Sequence, residues 1–139
     1  MPRLDEVDLR EARLGGAFLV GASLRGAAVW NAWRAEHDEA PDLSRAALRG
    51  LDLSGFDLSQ AELRGADLRG TLFCDADLSG THLEDANLFK AVFDGADLTG
   101  AHLYGALFLN CAQLSVTRNW QSTFRDDALA CGAPIPDRK

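Results

Sequence analysis

The chain repeats a five-residue pattern from Asp42 to Asn110, and this repeat constrains the fold more than any other feature. The frames read LDLSG, FDLSQ, AELRG, ADLRG, TLFCD, ADLSG, THLED, ANLFK, AVFDG, ADLTG and AHLYG. A period of five fits neither a strand, which alternates every second residue, nor a helix, which repeats every 3.6 residues. A sustained fixed period indicates a solenoid, in which each unit covers the apolar face of its neighbour.

Each frame has a large apolar centre, and a small residue usually stands two positions before it. The centres of this block are Leu43, Leu48, Leu53, Leu58, Leu63, Leu68, Phe73, Leu78, Leu83, Leu88, Phe93, Leu98, Leu103 and Phe108. The small residues include Ala61, Ala66, Ala76, Ala86, Ala96 and Ala101. Alternating large and small positions suit a narrow interior that side chains fill. Glycine closes most frames, where a sharp turn requires a permissive backbone.

The frames resemble the pentapeptide-repeat family, whose consensus is A(D/N)LxG, and the resemblance covers roughly residues 2 to 115. It implies an all-β fold, a right-handed quadrilateral parallel β-helix with four frames per coil. The central residue and the small residue point inward in that family, and the other three positions point outward. We therefore expect about five coils.

Four frames per coil would place residues 20 apart in columns, separated by about 4.8 Å like paired strands. The sequence is consistent with such columns, because similar residues recur at this spacing. Phe73 should stack on Phe93. A ladder of carboxylates and a ladder of hydroxyls should run side by side, formed by Asp57, Asp77 and Asp97 and by Ser59, Ser79 and Thr99.

The repeat is interrupted once and ends before the C-terminus. An earlier block has its centres at Leu4, Leu9, Leu14, Leu19, Leu24 and Val29. The segment from Trp30 to Pro41 breaks the register, which predicts a loop or short helix projecting outward. Residues 1–115 are thus expected to form the β-helix, interrupted at about 30–41. Residues 116–139 form a tail, in which Val116, Trp120, Phe124 and Ala128 are spaced like one helical face. This spacing predicts a short helical cap, and a dimerisation element is the alternative.

Composition limits the classes of function. The chain has 139 residues, enough for one domain, and a formal net charge of −7, which disfavours direct nucleic-acid binding. The first ten residues lack the apolar run of a signal peptide, and no segment is apolar enough to span a membrane. Three cysteines without framework spacing predict reduced thiols and a cytoplasmic location. Cys111 falls on an inward slot, which predicts a small core residue.

The acidic surface is the first candidate site, formed by the wall of Asp57, Asp77 and Asp97 and by the insertion with Trp30 and Trp33. The Qnr and MfpA-like branches of the resembled family bind DNA gyrase and are held to mimic duplex DNA. Five coils would carry about one net charge per 3.5 Å of length, compared with about one per 1.7 Å in B-DNA. The lower charge density makes DNA mimicry the alternative function, and the family consensus already places Asp at the wall positions.

Two histidines form the second candidate site. His82 and His102 are 20 residues apart, in a column with Glu62 and Asp42 and near Glu84. Imidazoles beside a carboxylate could bind Zn²⁺ or another divalent ion, and the hypothesis includes His37 of the insertion as a further ligand from the same wall. The simpler interpretation is two exposed polar residues in a variable outward slot.

An apolar stripe is the third candidate, because outward slots are usually polar. The stripe consists of Leu72, Phe89, Val92, Leu107 and Leu109. We expect these five to form one patch near the C-terminal end, and exposed patches of this kind mark interfaces. The occupant would be a partner subunit, another protein, or the chain's own tail folded back through Trp120 and Phe124.

The sequence offers little for catalysis. It has no G-x-S-x-G, phosphate loop, H-E-x-x-H or C-x-x-C motif, and carboxylates on a convex wall lack a pocket that would shift their pKa values. The function predicted from sequence is a non-enzymatic protein–protein interaction module with no cofactor. The alternative is a DNA-mimicking modulator of DNA gyrase. The partner would be another protein, with a homodimer also envisaged.

Overall fold

The repeat folds as a four-sided coil with parallel pairing between successive turns. In the computed structural model, residues 27–36 and 38–137 are described, without the side chains of Val29 and Trp33. Each face contributes one paired residue rather than a long strand, and each partner lies 20 residues on. The parallel pairs run Asp42–Glu62, Ala47–Asp67, Asp52–Leu72, Asp57–Asp77, Glu62–His82, Asp67–Asn87, Leu72–Val92, Asp77–Asp97, His82–His102 and Asn87–Leu107.

Backbone hydrogen bonds hold each coil to the next. Leu63 N donates to His82 O at 2.8 Å, and His82 N donates to Ala61 O at 3.0 Å. The described coils are therefore 42–61, 62–81 and 82–101, with a fourth begun at 102–107. The expected total of about five coils depended on the block from Leu4 to Val29, of which residues 1–26 lie outside the described part.

The core is a column of side chains inside the coil, as the frame pattern predicts. The central residues Leu63, Phe73 and Leu83 are fully buried, and so are the small residues Ala61 and Ala76. Phe73 and Phe93 stack with ring centroids 5.3 Å apart and planes 9° apart, which confirms the predicted column. The interior is filled by side chains from end to end of the described coils.

A tight turn closes every frame. In the frame that ends at Gly65, Ala66 N donates to Leu63 O at 3.1 Å, and Gly65 has φ = 67°. The left-handed conformation at this position explains why glycine recurs there. Five frames of the coil adopt it without glycine, at Arg45, Gln60, Asp75, Asp85 and Lys90.

Helix α1 spans Ala27–Glu36, so the helix begins three residues before the predicted insertion. It packs onto the first coil instead of projecting outward. Trp30 is only 7% exposed, and its ring lies 5.9 Å from that of Phe56. Helical backbone at Val29 also replaces the coil turn that the frame pattern predicts there. The apolar face of α1 packs against the large side chains of the first coil. This packing favours a helix over a continuation of the coil in this segment.

The polar side chains of α1 bond to backbone groups at the edge of the first coil. Trp30 Nε1 donates to Asp57 O at 2.7 Å, and Arg34 donates to Ser59 O at 2.7 Å. Asp57 N donates to the Asn31 side-chain oxygen at 2.7 Å. Elsewhere in the coil, the equivalent backbone N–H and C=O groups form hydrogen bonds with the backbone of a neighbouring coil. At this edge, side chains of α1 provide the hydrogen bonds instead.

The tail takes a different form from the predicted single helix. Helix α2 spans Cys111–Ser115, and two short 3₁₀ helices follow at Trp120–Ser122 and Asp127–Leu129. The four residues Val116, Trp120, Phe124 and Ala128 therefore share no helical face. Instead the tail pairs in parallel with the third and fourth coils, through Asp97–Arg118 and His102–Phe124. Pairing with the exposed coil edge takes precedence over local helical spacing.

Two further sequence predictions fail in this region. Phe108, predicted as an inward centre, is 64% exposed and has φ = 60°, because the chain leaves the coil after Leu107. Cys111, predicted as a small core residue with a reduced thiol, is exposed and forms a disulfide with Cys131 across a Cα–Cα distance of 5.6 Å. Cys74 is the free cysteine of the described residues. The disulfide removes the cysteine-based argument for a cytoplasmic location, which stays a prediction.

Candidate functional site

The acidic wall consists of carboxylates that are partly committed to the backbone. Asp57, Asp77 and Asp97 form the predicted ladder. Each Oδ1 accepts a hydrogen bond from a backbone N–H two residues on and a second, of 2.6 Å, from the hydroxyl of the same residue. The donors are Ser59, Ser79 and Thr99. The hydroxyl ladder predicted beside the acids is thus their hydrogen-bonding partner.

This side-chain turn is a general device of the repeat. Asp42 and Asp52 accept from Ser44 N and Ser54 N in the same way, and Asn87 accepts from Phe89 N. A side-chain oxygen at the second frame position stabilises the turn that follows it. The acidic wall therefore has a structural origin.

Burial and hydrogen bonding act in opposite directions on the pKa of Asp97. Burial alone would raise it, but hydrogen bonds from Thr99 and from Asn119 outweigh the burial and lower the pKa. The Asn119 side chain donates to Asp97 Oδ1 at 3.2 Å from the tail. The tail therefore contacts the acidic wall at its C-terminal end.

The histidine column is confirmed as a geometric prediction. The rings of His82 and His102 stack with centroids 4.4 Å apart, and Phe124 stacks on His102 at 4.8 Å. Burial is the main cause that lowers the pKa of His102, and the neighbouring His82 lowers it further. Phe124 thus covers the end of this column and favours the neutral imidazole.

The carboxylates of this face are engaged by an arginine. Arg64 Nε lies 3.2 Å from Glu62 Oε1 and 3.0 Å from Glu84 Oε2, and His82 Nδ1 lies 3.3 Å from Glu84 Oε1. Among the described residues, no group of three or more His, Cys, Asp or Glu side chains is arranged to hold a metal ion. His37 lies outside the described residues. The face is an ion-pair network with stacked rings.

The apolar stripe is only partly exposed. Phe89 and Leu107 are 46% and 49% exposed, whereas Leu72, Val92 and Leu109 are half-buried. The structure adds Phe108, whose ring meets that of Phe89 edge-on at 5.6 Å. The frame pattern did not predict Phe108 as part of this patch, because it assigned that side chain to the interior.

The tail aromatics do not cover this patch. Phe124 stacks on His102, and Trp120 lies against the Arg125 guanidinium at 5.2 Å. The alternative in which Trp120 and Phe124 fold back onto the stripe is therefore wrong. Pairing of the tail with the coil edge directs both rings elsewhere.

Trp30 and Trp33 are the candidate residues of the insertion. Trp30 is buried against Phe56, so its indole stabilises the contact between α1 and the coil and offers little surface to a partner. The side chain of Trp33 lies outside the described part. The sequence signal for this contact was present in the coil, where Leu51 and Phe56 occupy slots that hold Thr71, Ala76 or other small residues in later coils.

Arg125 is a residue that sequence reasoning missed. Its side chain is 1% exposed, and its guanidinium donates to several carbonyl oxygens of the tail. The acceptors include Thr123 and Leu129 at 3.1 and 2.7 Å, and Ala130 and Ala133 at 3.1 Å each. Burial lowers the pKa of this guanidinium. No repeat or motif marks the tail, so nothing in the sequence pattern predicted this network.

Comparison with known proteins gives the family. The pentapeptide-repeat family model matches residues 3–33, 42–80 and 66–105, in eight copies. The match extends to residue 33, although Ala27–Glu36 are helical in the structure. No protein with a curated description matches the chain. The structure contains no helix, within its described residues, that is long and apolar enough to cross a membrane.

Solved structures of other pentapeptide-repeat proteins are similar to this chain. HetL, involved in heterocyst differentiation regulation in the cyanobacterium Nostoc sp. strain PCC 7120, is 24% identical with a TM-score of 0.55, and the alignment covers 84% of this chain and 58% of HetL. A thylakoid-lumen protein of Arabidopsis thaliana is 30% identical over 68% of this chain and 64% of its own, with a TM-score of 0.35. Rfr23 of Cyanothece 51142 is 25% identical over 66% and 65%, with a TM-score of 0.28.

The chain spans less than two thirds of the length of each of these proteins. The likeness to HetL supports the right-handed β-helix. The repeat frames, the four-sided coil and the family match agree, and the chain belongs to the pentapeptide-repeat family.

Proposed function

We propose that this chain is a non-enzymatic protein-interaction module whose rigid coil holds outward side chains at fixed positions. The observation that carries the proposal is the exposed aromatic pair formed by Phe89 and Phe108. Phe89 is held by a coil turn and Phe108 by a left-handed backbone conformation, so neither ring depends on a long loop. Exposed aromatic side chains on a fixed scaffold lose little conformational entropy on binding and dominate many interfaces.

A solid interior supports binding over catalysis. The inward positions are occupied by Leu, Phe, Ala and Thr side chains with almost no exposure. Catalytic acid–base groups require a concave site that excludes water and shifts pKa values. Many carboxylates of the coil, such as Asp57, Glu84 and Asp67, are instead committed to turns or to Arg64 and Arg69. The family, whose members often act as interaction modules, fits the same proposal.

Affinity capture from the native host tests this function, followed by binding of the purified captured protein. The double variant Phe89→Ser with Phe108→Asn should weaken binding about 100-fold, as expected for two interface aromatics. Asn suits the left-handed backbone at position 108. Val116→Thr is the matched control, because Val116 is another exposed apolar side chain, at 45% exposure, at a different corner. Equal binding by wild type and the double variant would sink the proposal.

DNA mimicry toward a type II topoisomerase stays the alternative. The acidic wall motivates it, since Asp57, Asp77 and Asp97 follow the coil axis. One oxygen of each carboxylate is already hydrogen-bonded within its turn, which reduces the resemblance to phosphate. A gyrase supercoiling assay checks this function directly, and absence of any effect at micromolar protein would eliminate it.

A further inference from the structure

Positive charge in the coil is concentrated at one corner. Residues 42–110 contain five basic side chains, and three of them, Arg49, Arg69 and Lys90, belong to successive turns of the same corner. The backbone shows the register, since Gly50 N donates to Arg69 O at 3.0 Å and Gly70 N donates to Phe89 O at 2.9 Å. We call this corner the basic edge, and it consists of Arg49, Arg69, Phe89 and Lys90.

The basic edge meets the exposed aromatic pair. The Lys90 ammonium lies 5.3 Å from the centre of the Phe89 ring, and the centre of the Phe108 ring lies 5.6 Å from the centre of the Phe89 ring. Phe89 therefore occupies the position in the column where Arg49 and Arg69 stand in earlier coils. Cationic and aromatic groups are adjacent along one line parallel to the coil axis.

A nearby carboxylate neutralises only part of the positive charge of this edge. Asp67 is the acid on the same face, and both of its oxygens bond to Arg69, at 2.8 and 2.7 Å. The side-chain hydrogen bond from Arg69 is the main cause that lowers the pKa of Asp67. Arg49 and Lys90 are exposed, in a chain whose net charge is −7. A local excess of positive charge on an acidic molecule selects for an acidic partner.

We propose that the basic edge binds a protein segment carrying carboxylates beside an aromatic or aliphatic side chain. This inference rests on the proposed interaction function and names the partner's chemistry. The apolar group of the partner contacts Phe89 and Phe108, while its carboxylates lie along Arg49 and Lys90. Arg49 and Lys90 lie two coils apart, which is about 10 Å along the coil axis, and carboxylates two or four residues apart in an extended segment, separated by about 7 or 13 Å, bracket that distance. The overall acidity of the chain disfavours nucleic acid as the occupant.

Binding of labelled synthetic peptides tests the proposal. The probe alternates aspartate with phenylalanine and leucine; one control peptide replaces aspartate by lysine, and another replaces the apolar residues by serine. We expect the acidic apolar probe to bind best and to weaken as salt increases. The variant Arg49→Gln with Lys90→Gln should weaken binding about five-fold, since exposed ion pairs contribute modestly.

The matched control removes the same charge elsewhere. Arg45→Gln with Arg64→Gln changes net charge equally and should leave affinity for the probe unchanged. Gln suits position 90, because Gln60 has φ = 62° at the equivalent frame position. Circular dichroism confirms that both variants fold.

Four results would overturn the inference. They are equal weakening by both charge variants, tighter binding of the lysine peptide, tighter binding of a DNA oligonucleotide, and no binding of the acidic probe at about 1 mM. Sedimentation showing a dimer that the Phe89→Ser/Phe108→Asn variant dissociates would identify a second copy as the occupant instead. The dimer result would leave the proposed interaction function standing. Equal binding of the captured protein by wild type and the Phe89→Ser/Phe108→Asn variant would refute that function and not the charge preference.

Discussion

At Asp97, one carboxylate oxygen is committed to the turn that follows it. The Thr99 hydroxyl and backbone N–H both donate to Oδ1, at 2.6 and 3.0 Å. The same arrangement recurs at Asp57 and Asp77. The acidic second position of these frames therefore has a structural explanation, because its carboxylate accepts hydrogen bonds from the turn that follows.

Removing the Thr99 hydroxyl tests whether its hydrogen bond to Asp97 stabilises the turn. Thr99→Val keeps the side-chain shape but loses the hydrogen bond to Asp97. We expect the pKa of Asp97 to rise toward its ordinary value of 3.8 and the free energy of unfolding to fall by about 1 kcal/mol. An NMR titration of Asp97 measures the first effect. Thr99→Ser retains the hydroxyl and should behave as wild type, and an unchanged pKa in Thr99→Val would contradict the role of Thr99.

His102 makes stability depend on pH. Its folded pKa lies below the ordinary 6.5, because burial and His82 disfavour the charged ring. The unfolded state then binds more protons, so this contribution is complete above about pH 6.5 and is lost as pH falls toward the folded pKa. The groups facing the ring are His82, Glu62, Glu84 and Arg64.

The variant His102→Phe isolates this effect. Phenylalanine can stack between His82 and Phe124 but cannot be protonated, so we expect the fall in Tm between pH 7 and pH 5 to become smaller than in wild type. Thermal unfolding followed by circular dichroism at each pH is the measurement. Thr99→Ser provides a control that keeps every histidine. A wild-type Tm that does not fall over this range would contradict the expected sign.

At the scale of elements, the disulfide and Arg125 act together on the tail. Cys111 begins α2 and Cys131 lies 20 residues later, so the bond closes a loop that includes both paired positions of the tail. Arg125 lies inside that loop and bonds to carbonyls on both sides of Leu129. Leu114 anchors the loop, because its side chain is 1% exposed. We infer that this assembly closes the C-terminal end of the coil.

The variant Cys111→Ser with Cys131→Ser tests how much the bond contributes. Cross-linking a loop of this length stabilises the folded state by about 3 kcal/mol in the chain-entropy model. We expect a loss of that order in urea unfolding, and the same loss in wild-type protein treated with a dithiol reductant. Cys74→Ser is the matched control, since Cys74 is free. A loss as large in the control would show that the effect is not due to the disulfide.

At the scale of the whole molecule, the sequence predicts what repeats and misses what does not. The columns containing Phe73, Asp77 and His82 follow from a spacing of 20, because each coil meets its neighbour in register. The structure of Ala27–Glu36 could not be predicted from the repeat, since helix contacts with Phe56 compete with the coil there. The tail depends on long-range pairing and one buried arginine, which leave no periodic pattern. Segments that end a solenoid are determined by the exposed edge they cover.

Stability should therefore vary along the coil axis. Each coil contacts only its neighbours, so opening begins at the ends and the backbone amides of coil 62–81 open last. Hydrogen exchange should show the slowest amides at Leu63, Phe73 and Leu78, which bond to the following coil at 2.8 to 2.9 Å. Amides of residues 126–137 should exchange faster, and the variant Cys111→Ser with Cys131→Ser should accelerate them more than it accelerates the amides of coil 62–81. Equal protection of coil and tail in wild type would instead mean that the molecule opens as one cooperative unit, and the tail would then have to be counted as part of the same core.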